Sequence, residues 1–280
     1  MALQLQKNNM KEGKNMACRD ALKNLTASLS EAKIENFISV ESNSDRLFFG
    51  VDSKSPADNI LQNNLTEYEW VLRNKIPPAF WGRNINGENA LSKEEIEFLH
   101  KKGCRIAAIC FDPEEKNTEE SGRKFANKIS DIAYDTGVPE GTTLFLEIKD
   151  DETVTAEYMG GFADELLSEG YMPAFKANTD ANYNFDKEFS KGMQNNHEAF
   201  KTCIIWATAP SLADYDNMTT SHLIHPDNWM PFAPSSVTRE DIALWQYGKE
   251  CHPIFDNDGN PTSFNVSLIK DKKIIIKTMF

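Results

Sequence analysis

Acidic side chains in this sequence come directly after short apolar runs. Asp52 follows Leu47 to Val51, and Glu147 follows Leu144 to Leu146. Two carboxylates held close together can hydrolyse a glycosidic bond, one as the acid and the other as the base or nucleophile. Asp52 and Glu147 are therefore candidate catalytic residues. The structural alternative is an ion pair between Glu147 and Lys149, with Asp52 as a capping residue.

Other residues at the ends of such runs could assist catalysis or bind a substrate. Asp112 follows Ile106 to Phe111 and is a further candidate acid. Sugar rings stack on aromatic faces through their C–H surfaces, although a single large aromatic residue belongs more often to a core. The candidate substrate-binding residues are Arg83, Lys149, Lys176, Asn178, Trp206, Trp245, Gln246, Tyr247 and Asn265.

The apolar runs alternate with helix-like stretches, which predicts parallel strands and an α/β fold. Ser92 and Glu95 are spaced as a capping box that starts a helix ending at Gly103, and a second helix is predicted from Glu119 to Thr136. Near the end of the chain we predict that a strand at Lys273 to Met279 pairs with Ser263 to Ile269. The fold class expected is a modified (β/α) TIM-like barrel at 46–280, preceded by an N-terminal helical arm at 1–45.

Alternation along two strands predicts which side chains enter the barrel. Successive side chains of a strand point to opposite faces. On the fourth strand Phe145, Glu147 and Lys149 share the inward face, and on the first strand Gly50 and Asp52 do. Because chemistry in such barrels sits at the carboxyl ends of the strands, Asp52 and Glu147 should border one cleft, together with Arg83, Lys149, Lys176 and Trp245.

Composition excludes several classes of partner. The net charge is −13, which argues against binding nucleic acid or an anionic membrane surface. The sequence shows neither a signal peptide nor an 18-residue apolar span, so we expect no membrane insertion and a cytoplasmic location, or release by a non-classical route. Residues 1–33 carry six Lys/Arg against three Asp/Glu, and this start could dock a partner protein or be a solvated terminus.

Metal and cofactor signals are weak. His222 and His225 are three residues apart with no evident third ligand, and Asp256 to Gly259 resembles a calcium loop that lacks the later bidentate glutamate. No phosphate-binding glycine loop is present. We expect neither a metal nor a cofactor.

Taken in order, these segments resemble the glycoside-hydrolase-like domain related to glycoside hydrolase family 25 lysozymes. The resemblance covers about residues 46–270. The matching segments are Phe49-Gly50-Val51-Asp52, Pro78-Ala79-Phe80-Trp81-Gly82-Arg83, Leu91 to Ile96 with Gly103 to Ile106, Leu144-Phe145-Leu146-Glu147, Gly161-Phe162 to Gly170-Tyr171, Leu244-Trp245-Gln246-Tyr247 and Phe264-Asn265-Val266-Ser267.

The resemblance implies a TIM-like barrel with a groove for peptidoglycan-type glycans, a first-strand carboxylate at Asp52 and a fourth-strand acid at Glu147. The sequence departs from the family at its acidic positions. The family's Asp-x-Glu, whose Glu donates the proton, reads Glu147-Ile148-Lys149 here, and its Asp-x-Asn reads Asn265-Val266-Ser267. An ammonium group beside a carboxyl lowers its pKa and makes it a poor proton donor.

Three functions follow from these residues. The first is a cell-wall glycan hydrolase that is weak or degenerate because its general acid is impaired. The second is a non-catalytic glycan-binding or protein-interaction module on a lysozyme-like barrel. The third is a lyase that forms a Schiff base through Lys149 or Lys176, since a buried lysine can become nucleophilic.

Overall fold

Short β-strands separated by helices make up most of the chain that the computed structural model describes, which is residues 47–73, 77–195, 198–214, 226–251, 255–256, 258–259 and 262–280. The predicted arm at 1–45 lies outside these residues. The strands described are β1 Phe48–Ser53, β2 Phe80–Asn84, β3 Arg105–Cys110, β4 Thr143–Ile148, β5 Met172–Ala177, β6 Ile204–Ala207, β7 Ala213–Asp214, β8 Leu244–Cys251 and β9 Phe264–Ile269.

Helices connect most of these strands. They are α1 Glu67–Arg73, α2 Lys93–Lys101, α3 Glu119–Thr136, α4 Ala156–Ser168, α5 Asn184–Gln194, α6 Glu198–Thr202 and α7 Lys272–Thr278, with a 3₁₀ turn at Arg239–Asp241. Among the described helices, none is long and apolar enough to cross a lipid bilayer.

Eight strands close into a barrel, so the predicted TIM-like fold is confirmed. β1 to β6 pair as successive parallel neighbours, and β6 also pairs in parallel with β8. β9 closes the ring between β8 and β1 and runs antiparallel to both. β7 pairs with the later part of β8. The barrel is modified because β9 reverses direction, which brings its amino end to the edge where the parallel strands end.

Local capping explains where two of the helices begin and end. Ser92 caps α2 by accepting a hydrogen bond from the amide of Glu95, as predicted, but the Glu95 side chain is engaged elsewhere. α3 spans the predicted residues and ends at Gly137, whose φ of 96° lies in the left-handed region that favours glycine.

The predicted strand at Lys273 to Met279 is wrong, because this segment forms helix α7. Asp271 starts the helix by accepting a hydrogen bond from the amide of Lys273. A short apolar run fits a strand or a buried helix equally well, and the surroundings decide. Ile275 on the helix and Met279 directly after it pack into the apolar interior of the barrel beside Leu244 and Ile269. The helix thereby plugs the end of the barrel opposite the carboxyl ends of the strands.

The interior is filled by side chains. Phe80, Phe145 and Trp206 form an edge-to-face aromatic cluster at its centre. Above this cluster the interior becomes polar at the level of Asp52. A Cβ atom on Gly82 would lie 2.6 Å from the Cβ of Asp52 and 3.0 Å from the Trp206 ring. Glycine at this position therefore allows the carboxylate and the indole to pack against β2.

Candidate active site

The carboxyl ends of the parallel strands open into a cleft of about 280 Å³, close to the lower limit of typical small-molecule sites. Inward-facing residues of six strands line it, and the amino end of β9 completes the wall. The lining includes Asp52, Asn84, Glu147, Lys176, Gln246 and Asn265.

Lys176 holds the two candidate catalytic carboxylates together. Its Nζ lies 2.5 Å from Oδ2 of Asp52 and 3.0 Å from Oε1 of Glu147. Asn265 donates a hydrogen bond of 2.8 Å from Nδ2 to the same Oδ2 of Asp52. The ammonium also lies 4.8 Å from the centre of the Trp206 ring, a distance that permits a cation–π interaction. Asp52 and Lys176 are thus fixed by several partners each.

These contacts determine the charge of the site at neutral pH. Burial lowers the pKa of Lys176, but Asp52 and Glu147 together outweigh it and raise this pKa above its ordinary value. The Lys176 ammonium lowers the pKa of Glu147, against the opposing effect of burial, and Lys54 and Lys149 lower it further. Lys176 is therefore a cation and Glu147 an anion at pH 7.

One lysine limits the distance between the two carboxylates. Oδ2 of Asp52 and Oε1 of Glu147 both contact Nζ of Lys176, so these two oxygens cannot be farther apart than the two contact distances combined. Both carboxylates can therefore face one bound group. The Glu147 side chain is 26% exposed and Asp52 only 6%, so an incoming group would reach Glu147 first.

Lys149 lies at the rim of the cleft. Its side chain is half exposed, with Nζ 4.0 Å from the centre of the Phe111 ring and 3.8 Å from Oε1 of Glu152. The alternative ion pair between Glu147 and Lys149 is thus replaced, in the described structure, by pairs of Glu147 with Lys176 and of Lys149 with Glu152. Lys149 nevertheless faces the same cleft as Glu147.

The prediction that Arg83 borders the cleft is wrong. Arg83 lies on the outer face of β2, fully buried, where Nε donates to Oε1 of Glu95 at 2.7 Å. Its other nitrogens donate to the main-chain carbonyls of Ser53, Lys54 and Asn89. The guanidinium therefore fixes the loop after β1, which directly follows Asp52, and supports the site from behind the strand.

Glu67 lies in the same buried region and gives a prediction on stability. Burial raises its pKa well above the usual range, although Arg83 partly opposes this. The folded chain thus keeps a proton that the unfolded chain releases above its ordinary pKa of ~4.3, and stability is lost as the pH rises toward the folded pKa. Glu67→Gln cannot ionise, so its advantage over the native chain should grow by about 1.4 kcal/mol per pH unit across that interval.

Urea unfolding of both proteins at pH 5, 6, 7 and 8 measures this advantage. Glu69→Gln is the matched control, because a hydrogen bond from the amide of Thr66 lowers the pKa of Glu69 and its effect should be constant over this range. A difference between Glu67→Gln and the native chain that does not change with pH would contradict the prediction.

Asp112, predicted as a candidate acid, and Asn178, predicted to bind substrate, follow their strands but lie outside the cleft. Asp112 is buried and accepts hydrogen bonds from the Tyr158 hydroxyl at 2.6 Å and from the amide of Glu114. Asn178 accepts a hydrogen bond from the amide of Asp180 and shapes the turn after β5. Both side chains organise the loops around the cleft, and Asp112 cannot replace the missing proton donor from this position.

The aromatic residues predicted to stack on sugars are buried. Trp206 points into the barrel beneath Lys176 and donates from its indole nitrogen to Oγ of Ser267 at 3.2 Å. Trp245 and Tyr247 lie on the outer face of β8, where Trp245 donates to the carbonyl of Pro210. None of the three is a platform open to the cleft, which corrects the predicted role. Gln246, between the two outward aromatics, does line it.

The structure also brings residues to the cleft that the sequence did not single out. They include Lys54, Asn84, Thr208 and Lys249. Asn84 lies two positions after Gly82 on β2, so the alternation that predicted Asp52 and Glu147 could have found it. Lys54 and Lys249 lie at the mouth, and Lys249 pairs with Asp150 at 3.0 Å.

No cluster of three His, Cys, Asp or Glu residues suited to a metal occurs among the described residues. His222 and His225 lie outside them, and in the turn at Asp256 to Gly259 the amides of Asp258 and Gly259 donate to the side chain and the carbonyl of Asp256.

Comparison with protein-family models and with curated proteins finds no match. Solved structures do match. An uncharacterized B. stearothermophilus protein superposes with a TM-score of 0.66 and 22% identity, over 83% of this chain and 100% of that one. The catalytic domain of the endolysin ply40 from bacteriophage P40 of Listeria monocytogenes superposes with a TM-score of 0.50 and 14% identity, over 85% of this chain and 98% of that one.

A family GH25 lysozyme from Aspergillus fumigatus gives a TM-score of 0.45 and 11% identity, covering 83% of this chain and 98% of that one. The first two similarities show that the chain shares its barrel fold with these proteins. At such identities they assign no residue role.

Proposed function

We propose that this protein binds a peptidoglycan-type cell-wall glycan in the cleft and hydrolyses it slowly, with Asp52 and Glu147 as the carboxylates. The observation that carries the proposal is the shared contact of both carboxylates with Lys176 in the cleft. The same fold carries the catalytic domain of the phage endolysin, which is consistent with this use of the barrel.

In this mechanism Glu147 is the nucleophile. Its pKa is lowered by Lys176, so it is ionised, and it is the more exposed of the two carboxylates. Asp52, fixed by Lys176 and Asn265, supplies negative charge beside the positive charge that develops on the sugar ring in the transition state. Attack by Glu147 forms a bond to the anomeric carbon as the bond to the leaving oxygen breaks, and water then releases the sugar.

The leaving oxygen lacks an efficient proton donor. A general acid must hold its proton near the working pH, whereas the described cleft offers an ionised Glu147 and a Lys176 ammonium whose pKa is raised. An ammonium that holds its proton this tightly protonates a leaving group poorly. Because general acid catalysis contributes about 10²–10⁴-fold, we expect a correspondingly slow enzyme.

We predict that the purified protein releases reducing ends from peptidoglycan slowly, and that Glu147→Gln abolishes the release. Glutamine keeps the size of the side chain but cannot form the glycosyl intermediate. Release should be followed over hours against a protein-free blank, with circular dichroism to confirm that the variant folds. Glu157→Gln is the matched control, because Glu157 is a surface residue on α4 paired with Lys191. Equal release by the native protein and Glu147→Gln would contradict the assignment.

Glycan binding without hydrolysis is the second candidate function. It is favoured by the ion pairs themselves, since both carboxylates are paired with one fixed lysine and Glu147 is held as an anion, which cannot donate a proton. Retention of the protein on insoluble peptidoglycan, with no reducing ends released, would support this function in place of the first. Absence of both retention and release would overturn the two together.

The Schiff-base alternative is disfavoured for Lys176. An amine attacks a carbonyl only when it is unprotonated, and the raised pKa of Lys176 keeps it protonated at neutral pH. Borohydride reduction in the presence of a keto substrate should leave no covalent adduct on the protein. An adduct mapped to Lys176 or Lys149 would restore this alternative.

A further inference from the structure

The outward face of helix α7 carries three exposed lysines. They are Lys272, Lys273 and Lys277, and Ile276 beside them is 56% exposed. Their spacing on the helix puts all four on one side, opposite Ile275, which packs into the barrel. Within the described residues, none of the three ammonium groups forms an ion pair or a hydrogen bond. We call these four residues the α7 lysine face.

The acids beside this face are already engaged. Asp271 accepts a hydrogen bond from the amide of Lys273 and so caps the helix. Glu240, from the turn before β8, pairs with Lys270 at 3.1 Å. Four lysines against these two acids leave a net charge of +2, on a chain whose overall charge is −13. A partner that complements the α7 lysine face is therefore acidic, and carries apolar side chains to cover the exposed isoleucine.

The segment that precedes β1 has this composition. The charged residues within 34–45 are all acidic, namely Glu35, Glu41 and Asp45. Four other residues of the segment are apolar: Ile34, Phe37, Ile38 and Val40. Residues 1–33, by contrast, carry a net charge of +3 and would be repelled by the lysines. Among the residues before β1, charge and apolar content thus select 34–45 as the complement of the α7 lysine face.

The register of the barrel brings this segment to α7. Phe48, the first residue of β1, lies opposite Ile269, and α7 begins three residues after Ile269. Residue 45 is three positions before Phe48, so it lies within about 11 Å of it. The twelve residues can span up to about 40 Å, whereas α7 is only about 10 Å long. Because the segment is joined to the barrel, its effective concentration at α7 is about millimolar.

We propose that residues 34–45 dock on the α7 lysine face, with their carboxylates paired to the three lysines and their apolar side chains over Ile276. The docked segment then covers the helix that plugs the barrel. This contact lies at the end of the barrel opposite the cleft, so the inference is independent of glycan binding and hydrolysis.

Zero-length cross-linking of the native full chain tests the contact. A carbodiimide joins a carboxylate to an amine in direct contact, with loss of water. We expect cross-links in the monomeric protein between the α7 lysines and Glu35, Glu41 or Asp45. Their yield should fall about tenfold in 1 M salt, where the Debye length is about 3 Å. Absence of these cross-links in a sample where the exposed pair of Lys191 and Glu157 is cross-linked would overturn the proposal.

An exchange of charges tests whether the ion pairs hold the segment. Reversing the three lysines together, as Lys272→Glu, Lys273→Glu and Lys277→Glu, should release residues 34–45. Three exposed pairs of this kind should change the rate of chymotrypsin cleavage after Phe37 by about tenfold. Adding the opposite reversals should restore the native cleavage rate, namely Glu35→Lys, Glu41→Lys and Asp45→Lys.

A matched control separates the docking contact from a general effect of charge. Lys93, Lys124 and Lys187 are exposed and lie on other helices, so reversing these three together should leave the cleavage rate unchanged. Circular dichroism confirms that each variant folds, and the cross-linking of the native chain needs no variant. Equal cleavage in the native and lysine-reversed proteins would overturn the proposal. Cross-links from the α7 lysines found only in a dimeric fraction would overturn it too, and would assign the face to a second copy of the chain.

Discussion

Replacing Lys176 with methionine should lower the free energy of unfolding at pH 7 by about 3–5 kcal/mol, the range found when one partner of a buried ion pair is removed. Methionine retains the aliphatic stem over the Trp206 ring, so the packing is largely kept. The charge is lost, however, and Oδ2 of Asp52 then faces Oε1 of Glu147 with Asn265 as the remaining donor to Asp52. Two carboxylates this close cannot both remain ionised at low cost.

The pH dependence of this variant follows from the sign of the change. In the native protein the pKa of Glu147 is lowered, so its stabilising contribution is present above its ordinary pKa and disappears at acid pH. Without Lys176, the repulsion raises a carboxyl pKa above its unfolded value, and stability falls as the pH rises. The deficit of Lys176→Met should therefore be largest at pH 7 and shrink toward pH 4.

Urea unfolding at pH 4, 5.5 and 7 measures the deficit. Lys101→Met is the control, since Lys101 pairs with Glu97 on the surface of α2 and exposed ion pairs contribute little to stability. Adding Asp52→Asn to Lys176→Met removes the repulsion and should recover much of the stability at pH 7. A Lys176→Met protein as stable as the native one at pH 7 would show that the three charges do not interact as inferred.

The core of the site could be predicted because it depends on the period of a strand. Alternation from Phe145 places Glu147 inward, and alternation from Gly50 places Asp52 inward, as the structure has them. The contact of both carboxylates with Lys176 could not be predicted in the same way. Asp52 and Lys176 are 124 residues apart, and closure of the barrel, not the spacing of residues, brings them into contact.

Arg83 and Trp245 show that a position at the end of an apolar run does not by itself place a residue in the cleft. In this barrel both faces of a strand are buried, the inner face by the interior and the outer face by helices and loops, so an apolar run does not reveal which side a polar residue takes. Arg83 has the opposite parity from Gly82 and Asn84, and Trp245 has the opposite parity from Gln246. Counting alternate positions from one residue known to point inward on each strand would have shown that Arg83 and Trp245 point outward. The partner of Arg83, Glu95, lies in a helix cap and gave no sequence signal of that role.

The departures from the lysozyme-like pattern are connected to one another. Where a proton donor is implied on the fourth strand, the chain has Lys149, and the neighbouring strand supplies Lys176, which fixes Glu147 as an anion. A carboxylate nucleophile needs to be ionised, so this environment favours attack by Glu147. The same environment makes Glu147 a poor proton donor. In the proposed function the cleft therefore has a nucleophile but lacks an acid, and an added carboxyl group should supply one.

Introducing a carboxyl group at position 149 should raise any glycosidase rate of this protein. Lys149 directly follows β4, two residues after Glu147, and lies at the rim of the cleft with its side chain half exposed. In Lys149→Glu the ionised Glu147 two residues away raises the pKa of the new carboxyl, which helps it to hold a proton. A well-placed general acid contributes about 10²–10⁴-fold, so reducing-end release should increase within that range and be fastest at mildly acid pH.

Lys149→Gln separates the two possible causes of such an increase. It removes the ammonium that lowers the pKa of Glu147 but supplies no proton, so it should leave the rate near the native value. The double variant Lys149→Glu with Glu147→Gln should be inactive, because the acid then has no nucleophile to assist. If Lys149→Gln accelerated release as much as Lys149→Glu, loss of the positive charge would be the cause. If Lys149→Glu eliminated a rapid native activity, Lys149 itself would take part in a different mechanism.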